Sequence, residues 1–281
     1  MGIYHRPGKL KDALAVLATT GARPVAGCTD VFAATEAQDL RGEVLDVTRI
    51  EGLRGISETA SGWRIGAATT WRDIVDARLP CAFDMLQQAA REVGGAQVQN
   101  AGTVAGNICN ASPAADGMPP LLALGAQVEV ASEKRGVHVV ELEQFVTGPR
   151  EIVLRSDELV SAILIPSNSV RGHSRFLKLG ARKHLVISIA MAAVRLAVEN
   201  GTITDAAISV GACGPVAIRA ATLEKALIGA STESADQLVS LALLDDALAP
   251  ISDVRGDAAY REAAALELVQ RAIADVLEQV P

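Results

Sequence analysis

The sequence predicts an α+β fold, in which strands and helices are mixed without the strict βαβ alternation of a doubly wound sheet. Two patterns lead to this prediction. In the first part of the chain short strands are interspersed with amphipathic helices, and in the last part three strands are followed by long Ala- and Leu-rich helices. With 281 residues, of which 49% are hydrophobic, the chain is long enough for about two domains with substantial cores.

Composition excludes several functional classes. The chain has 26 basic and 33 acidic residues, a formal charge of −7, and its basic residues are scattered, which argues against binding to nucleic acid or to an anionic membrane surface. No apolar run approaches the length needed to cross a bilayer and no signal peptide precedes the first helix, so a cytoplasmic location is expected. The four cysteines are isolated from one another and the four histidines show no ligand spacing, so we expect no metal site on this chain.

The first part of the chain reads as a series of short elements. Apolar spacing over residues 10–17, closed by Gly21, predicts a helix, and a hairpin is predicted around Ser61 and Gly62. Thr70 is a plausible cap for a short helix. The other predicted strands cover residues 23–26, 43–47, 126–131, 137–140 and 159–165, and the other predicted helices cover residues 31–37, 82–93 and 116–124.

The polar segment 167–174 marks a boundary between residues 1–168 and residues 169–281. After it, residues 175–179, 187–198 and 202–213 predict a three-stranded antiparallel sheet, with Asn200 and Gly201 forming a hairpin turn. Helical periodicity over residues 217–229, 234–245 and 258–279 predicts helices that cover this sheet. The second domain is therefore expected to be a small sheet with helices.

Two glycine-bearing segments are candidates for anion binding. The first follows the strand at residues 23–26, where Gly27 begins a turn and Thr29 and Asp30 can cap the next helix. The second lies within residues 99–125, where glycine, proline and small polar residues predict a loop before Asp116. Each segment alone could equally be a helix cap or a polar turn without a ligand. Together, roughly 75 positions apart, they suit a ligand with a central pyrophosphate, such as a flavin dinucleotide.

Common catalytic motifs are missing from the sequence. It has no G-x-G-x-x-G dinucleotide fingerprint, no phosphate-binding loop with a lysine, no G-x-S-x-G nucleophile elbow and no H-E-x-x-H. No pair of carboxylates can be placed across a cleft from the sequence alone. No catalytic residue is therefore predicted.

Five segments, in this order, give the chain a specific resemblance to a known family. They are YHRP at residues 4–7, AGCTD at 26–30, IGAATTWRDI at 65–74, NAGTVAGNICNASPAAD at 100–116 and FLKLGARK at 176–183. The chain resembles the FAD-binding medium subunit of the molybdenum hydroxylases, the family of carbon monoxide dehydrogenase and of the central portion of xanthine dehydrogenase. The likeness extends over nearly the whole chain.

The resemblance implies a two-lobed FAD-binding domain of the cresol-methylhydroxylase type, with lobes divided near residue 55, followed by the C-terminal domain. It implies that one group of residues, here called the first cradle, and another, the second cradle, wrap the pyrophosphate from two sides. It also places Asp116 at the ribityl or ribose region, Val160 or Leu159 near the cofactor, and Lys178 close to the isoalloxazine. The first cradle consists of Val25, Ala26, Gly27, Cys28, Thr29, Asp30 and Val31, and the second of Thr103, Ala105, Gly106 and Asn107.

Three positions depart from the family pattern. Cys28 and Ala105 stand where the family usually has a second glycine in each cradle, and Gln99 stands where an arginine is common. A β-carbon at the first two positions restricts positive φ angles and could crowd the phosphates. We nevertheless expect FAD binding to survive.

The resemblance further implies an electron-transfer role within a heterotrimer. A large subunit would hold the molybdenum cofactor, a small subunit would hold [2Fe–2S] clusters, and FAD on this chain would pass electrons to an external acceptor such as NAD or a quinone. Two alternatives remain open from the sequence: a self-sufficient FAD-dependent oxidoreductase, and a structural subunit without cofactor. The sequence identifies neither the substrate of the large subunit nor the acceptor.

Overall fold

The computed structural model describes residues 2–35 and 40–280. Within these residues the strands form four separate sheets. Three hydrophobic cores lie beside them: one in the first lobe, a large one in the second lobe, and one in the C-terminal domain.

The first lobe is built on a parallel sheet with the order β1-β3-β2. Leu14 and Leu17 of its helix are buried in a core that also contains Leu45 of the central strand. Gly21 ends the helix in the left-handed region, with φ of 63°, as expected for a glycine cap. Its elements are β1 (Tyr4–His5), α1 (Leu10–Thr20), β2 (Arg23–Val25) and β3 (Val44–Asp46).

The second lobe contains an antiparallel sheet with the order β4-β5-β10-β6-β7, packed against short helices. Trp71, Phe83 and Phe145 are fully buried in its core. Its strands are β4 (Ile56–Thr59), β5 (Gly62–Gly66), β6 (Gln127–Ser132), β7 (Gly136–Glu141), the two-stranded pair β8 (Val146–Gly148) and β9 (Glu151–Ile152), and β10 (Glu158–Pro166). Its helices are α2 (Trp71–Asp76), α3 (Asp84–Glu92), α4 (Ala96–Ala101), α5 (Val104–Asn110), α6 (Met118–Ala123) and α7 (Leu142–Phe145).

The C-terminal domain is an antiparallel sheet with the order β11-β12-β13-β14, covered by helices. Asn200 and Gly201 both have positive φ at the turn between the two long strands, as the sequence predicts. The sheet has a fourth strand of two residues that the predicted three-stranded sheet did not include. The elements are β11 (His173–Leu179), β12 (Ala190–Glu199), β13 (Thr202–Gly211), β14 (Ile218–Arg219), α8 (Ala221–Leu227), α9 (Leu241–Leu244) and α10 (Ala258–Leu277).

Two predictions about local structure were wrong. The predicted helix over residues 31–37 is absent from residues 31–35, of which residues 31–34 form a turn, and residues 36 and 37 lie outside the described residues. The amides of Phe32 and Ala34 donate to carbonyls four residues back, but that of Ala33 does not and that of Thr35 donates to a carbonyl three residues back, so no regular helical ladder forms. The predicted loop after residue 99 is largely helical, because α4 and α5 occupy most of it.

Within the described part of the chain, no helix is long and apolar enough to cross a membrane.

Candidate functional site

The first cradle touches residues 101 and 102, which immediately precede the second cradle, although about 75 positions separate the two segments in the sequence. A β-carbon added to Gly27 would lie 1.7 Å from the carbonyl oxygen of Ala101 and 2.8 Å from the amide nitrogen of Gly102. A β-carbon on Gly102 would lie 3.4 Å from Thr29 Oγ1. Glycine is therefore required at position 27 because the backbones of the two segments pack directly against each other.

The first cradle presents a run of free backbone donors. The amides of residues 27–31 donate to no acceptor within residues 2–35 and 40–280. Cys28 adopts the left-handed region with φ of 56°, a backbone conformation that also occurs in anion-binding nests. Burial raises the pKa of the Cys28 thiol, so it stays neutral and does not repel an anion.

The second cradle lies at the start of α5. Thr103 is its N-cap, and the Thr103 hydroxyl oxygen accepts a hydrogen bond of 3.1 Å from the amide of Gly106. The Val104 amide donates to the carbonyl of Thr69, whereas the Ala105 amide has no acceptor in the described part of the chain. Of the predicted donors in this cradle, the amide of Ala105 is therefore free and that of Gly106 is already used.

Backbone pairing with the segment before α2 holds the second cradle in place. The Trp71 amide donates to the carbonyl of Gly102 over 3.1 Å, and Thr70 and Thr103 form an isolated antiparallel bridge. Thr70 also forms a capping box with Asp73, which fixes the start of α2. These contacts join the predicted short helix to the second cradle.

Asn107 carries an unpartnered polar atom at this site. Its Oδ1 atom is buried and makes no hydrogen bond within the described residues. It faces Gly117, where an added β-carbon would lie 2.9 Å from Oδ1 and 2.4 Å from the Trp71 ring. A buried oxygen without a donor is costly, and a hydroxyl group of a ligand would satisfy it.

Asp116 and Lys178 form one buried ion pair. The family resemblance had implied a place beside the cofactor for each of them separately. The Lys178 ammonium donates to Asp116 Oδ2 over 2.7 Å, and the two side chains are only 7% and 10% exposed. The Ser188 hydroxyl donates to Asp116 Oδ1 over 2.6 Å. Burial raises the pKa of Asp116, while the Lys178 charge and the two hydrogen bonds act in the opposite direction.

Val160 lies in the core of the second lobe and is 4% exposed. It belongs to the same hydrophobic cluster as Val104, Ala105 and Ile108 of α5, so β10 supports the helix that begins at the second cradle. The pairing of β10 with β6 shifts register between Val160 and Ala162, which is an irregularity of the β-bulge type.

The residues present fit a flavin dinucleotide. Free amides of the first cradle and of Ala105 suit pyrophosphate oxygens, and the unpartnered Asn107 oxygen suits a ligand hydroxyl. No group of three or more side chains that could hold a metal ion exists among the residues that the structure describes.

Sequence reasoning missed two contributors to this site. Ser188 is separated from Asp116 by 72 positions, and no local motif marks a serine as a partner for a distant carboxylate. The pairing of Trp71 with Gly102 was missed for the same reason, because it is a tertiary contact. The glycines at positions 27 and 102 could have indicated the contact between the two segments, since both stand where backbone atoms approach closely.

Comparison with known proteins agrees with this geometry. Residues 1–168 match the family model described as the FAD binding domain in molybdopterin dehydrogenase, and residues 175–276 match that of the CO dehydrogenase flavoprotein C-terminal domain. The xanthine dehydrogenase FAD-binding subunit of Escherichia coli O157:H7 is 31% identical, covering 98% of this chain and 94% of the relative. The carbon monoxide dehydrogenase medium chain of Afipia carboxidovorans is 30% identical, covering 96% and 94%.

Solved structures show the same likeness. Reconstituted CO dehydrogenase from Oligotropha carboxidovorans matches with a TM-score of 0.91 and 27% identity, covering 99% of this chain and 98% of that one. Quinoline 2-oxidoreductase from Pseudomonas putida 86 matches with a TM-score of 0.86 and 25% identity, with the same coverage. The chain therefore belongs to the family of FAD-binding subunits of the molybdenum hydroxylases, a family of oxidoreductases.

Proposed function

We propose that this chain is the electron-transfer subunit of a heterotrimeric molybdenum-dependent dehydrogenase. Its FAD would take electrons from the [2Fe–2S] clusters of a small subunit, which in turn receive them from the molybdenum cofactor of a large subunit. The electrons would then pass to an external acceptor. The family assignment and the similarity to medium chains of carbon monoxide dehydrogenase and glyceraldehyde dehydrogenase support this proposal.

The direct contact between the first cradle and residues 101–102, which lead into the second cradle, is the observation that carries the proposal. Because Gly27 packs against the Ala101 carbonyl, free amides of the first cradle and the start of α5 lie close enough to face one ligand. This arrangement suits the pyrophosphate of FAD. We further propose that residues 1–168 form the FAD-binding domain, with lobes divided near residue 55, and that residues 169–281 form the C-terminal domain, a division supported by the extents of the two family models.

Each group of residues has a separate task in this proposal. The first cradle and Ala105 donate backbone hydrogen bonds to the pyrophosphate, and Asn107 accepts from a hydroxyl of the cofactor. Asp116 and Ser188 hold the Lys178 ammonium in one position, so that its positive charge is fixed where the flavin ring would lie. Bound FAD supplies the capacity to accept electrons singly and to release them in pairs.

Native purification tests this proposal. We expect the chain to be recovered with one larger and one smaller polypeptide, with iron–sulfur absorption in the small partner and molybdenum in the large one. Substrate of the large subunit should reduce the flavin only in the intact complex. A FAD-loaded chain that turns over a substrate alone would instead identify a self-sufficient oxidoreductase, and a complex without flavin would identify a structural subunit.

A further inference from the structure

The strand β7 is an open edge of the five-stranded sheet in the second lobe. It pairs with β6 on one side, and in the part of the chain that the structure describes no strand lies on its other side. The backbone N–H and C=O groups of β7 that point away from β6 have no backbone partner within residues 2–35 and 40–280. A row of such groups is a template on which another strand can pair.

The side chains of β7 do not protect this edge. The strand contains no lysine, arginine or proline, the residues that often prevent pairing at an edge. Val140 packs against the core, so the alternate residues Val137 and Val139 lie on the outer face, where they are 61% and 48% exposed. At the opposite edge of the sheet, residues 57–59 of β4 are serine, glutamate and threonine. Of the two edges, β7 is therefore the one suited to a second strand.

The charges at the two ends of β7 have opposite signs. Lys134 and Arg135 lie before the strand, beside one acidic residue, Glu133, whereas Glu141 ends the strand and Glu143 follows it. Arg135 already pairs with two carboxylates of its own chain, and Lys134 forms no ion pair among the described residues. Two copies of β7 in antiparallel orientation bring the basic end of each strand to the acidic end of the other, whereas a parallel orientation brings like charges together.

The spacing of the residues along β7 fixes the register of such a pair. A two-fold axis through His138 places Val137 of each copy opposite Val139 of the other, so that the exposed valines cover one another. The same axis places Arg135 of each copy opposite Glu141 of the other. A contact in which each copy uses the same patch is the usual form of a symmetric dimer.

We propose that β7 is a self-association edge, through which two copies of this chain pair in antiparallel orientation and join their five-stranded sheets. The occupant of the edge is a second copy because the charges of β7 complement those of its own antiparallel copy and its exposed valines meet one another. This inference goes beyond the proposed function and does not depend on bound FAD, since neither cradle includes a residue of β7.

Sedimentation velocity of the full chain over a range of concentrations tests this assignment. We expect a species of twice the 29.2 kDa mass of one chain. Val137→Lys should raise the Kd of the dimer roughly tenfold, because it places a charge in the paired edge of both copies. The matched control Val254→Lys changes a valine that is 98% exposed in the C-terminal domain and should leave the Kd unchanged. Far-UV circular dichroism should show that both variants are folded like the parent chain.

Oxidative cross-linking tests the register, in a Cys81→Ser background that removes an exposed thiol. Residues opposite each other in an antiparallel pair have Cα atoms about 4.5 to 5.5 Å apart, which a disulfide can bridge. His138→Cys should therefore form a covalent dimer, whereas Glu58→Cys, on the opposite edge of the sheet, should not.

Three results would overturn the assignment: a chain that is monomeric at every concentration, an unchanged Kd in the Val137→Lys variant, or a dimer that His138→Cys fails to cross-link. A monomeric chain in which residues 136–141 become protected from hydrogen exchange only in the native complex would assign this edge to another subunit instead. A chain that dimerises through β7 but holds no FAD refutes the proposed function alone, and a FAD-loaded monomer refutes only this inference.

Discussion

Replacement of Gly27 by alanine should separate the two cradles. The added β-carbon would lie 1.7 Å from the oxygen and 2.3 Å from the carbon of the Ala101 carbonyl, about half of an ordinary contact distance. Both colliding groups belong to the backbone, so no side-chain rotation can relieve the overlap. Overpacking usually costs 1–3 kcal/mol, and we expect about 3 kcal/mol in the free energy of unfolding here because the backbone itself must move.

Urea denaturation and flavin content together measure this effect. Gly27→Ala should lower the unfolding midpoint and should also lose most of its FAD, because the free amides of the first cradle would move away from α5. Gly8→Ala is a matched control in the same lobe, since a β-carbon there meets no atom within 4 Å. We expect its stability and FAD content to stay close to those of the parent chain. A Gly27→Ala protein with full stability and full FAD content would refute the close packing of the first cradle against the Ala101 carbonyl.

Four other changes test separate features. Thr103→Ala should cost about 1 kcal/mol by removing the cap of α5, whereas Thr103→Ser should retain it, as measured by thermal unfolding. Lys178→Met should lower the free energy of unfolding by about 3–5 kcal/mol because it leaves the buried Asp116 carboxylate without its cation. A smaller loss for the double variant Lys178→Met/Asp116→Asn, measured by urea denaturation, would confirm that the two side chains are energetically coupled. Cys28→Gly should relieve the strain of a positive φ and stabilise the chain by up to about 1 kcal/mol, with FAD still bound; a destabilised variant would contradict the strain. A hydrogen bond from the backbone N–H of Arg255 lowers the pKa of Asp253 to about 2. The ionised carboxylate therefore stabilises the folded chain above its ordinary pKa of 3.8, and this stabilisation is lost as the pH falls toward about 2. The unfolding midpoints of the parent chain and of Asp253→Asn should converge at that low pH.

Much of the fold follows from local patterns. The cap at Gly21, the capping threonine before α2 and the turn at Asn200 and Gly201 act through their own backbone geometry, and the structure has all three. The strand β14 has only two residues, so no periodic pattern could reveal it. Local signals thus identify long elements better than short ones.

Only part of the candidate site could be predicted from the sequence. Glycine-rich composition after residue 99 predicted a loop, but Gly102 allows the close approach of the Val98 carbonyl oxygen, which would lie 2.9 Å from an added β-carbon, and Gly106 fits against the Thr103 hydroxyl. These glycines serve packing and not loop flexibility, which composition does not distinguish. The hydrogen bond from Ser188 joins the two domains and depends wholly on tertiary structure.

The visible absorption spectrum of the purified chain, followed by release and identification of any chromophore, tests FAD binding at the two cradles most directly. We expect the bands of an oxidised flavin, with FAD released in nearly equimolar amount. A colourless protein that also fails to take up added FAD would contradict the assignment of the cofactor to this chain. Cys28 and Ala105 would then be the first positions to change to glycine.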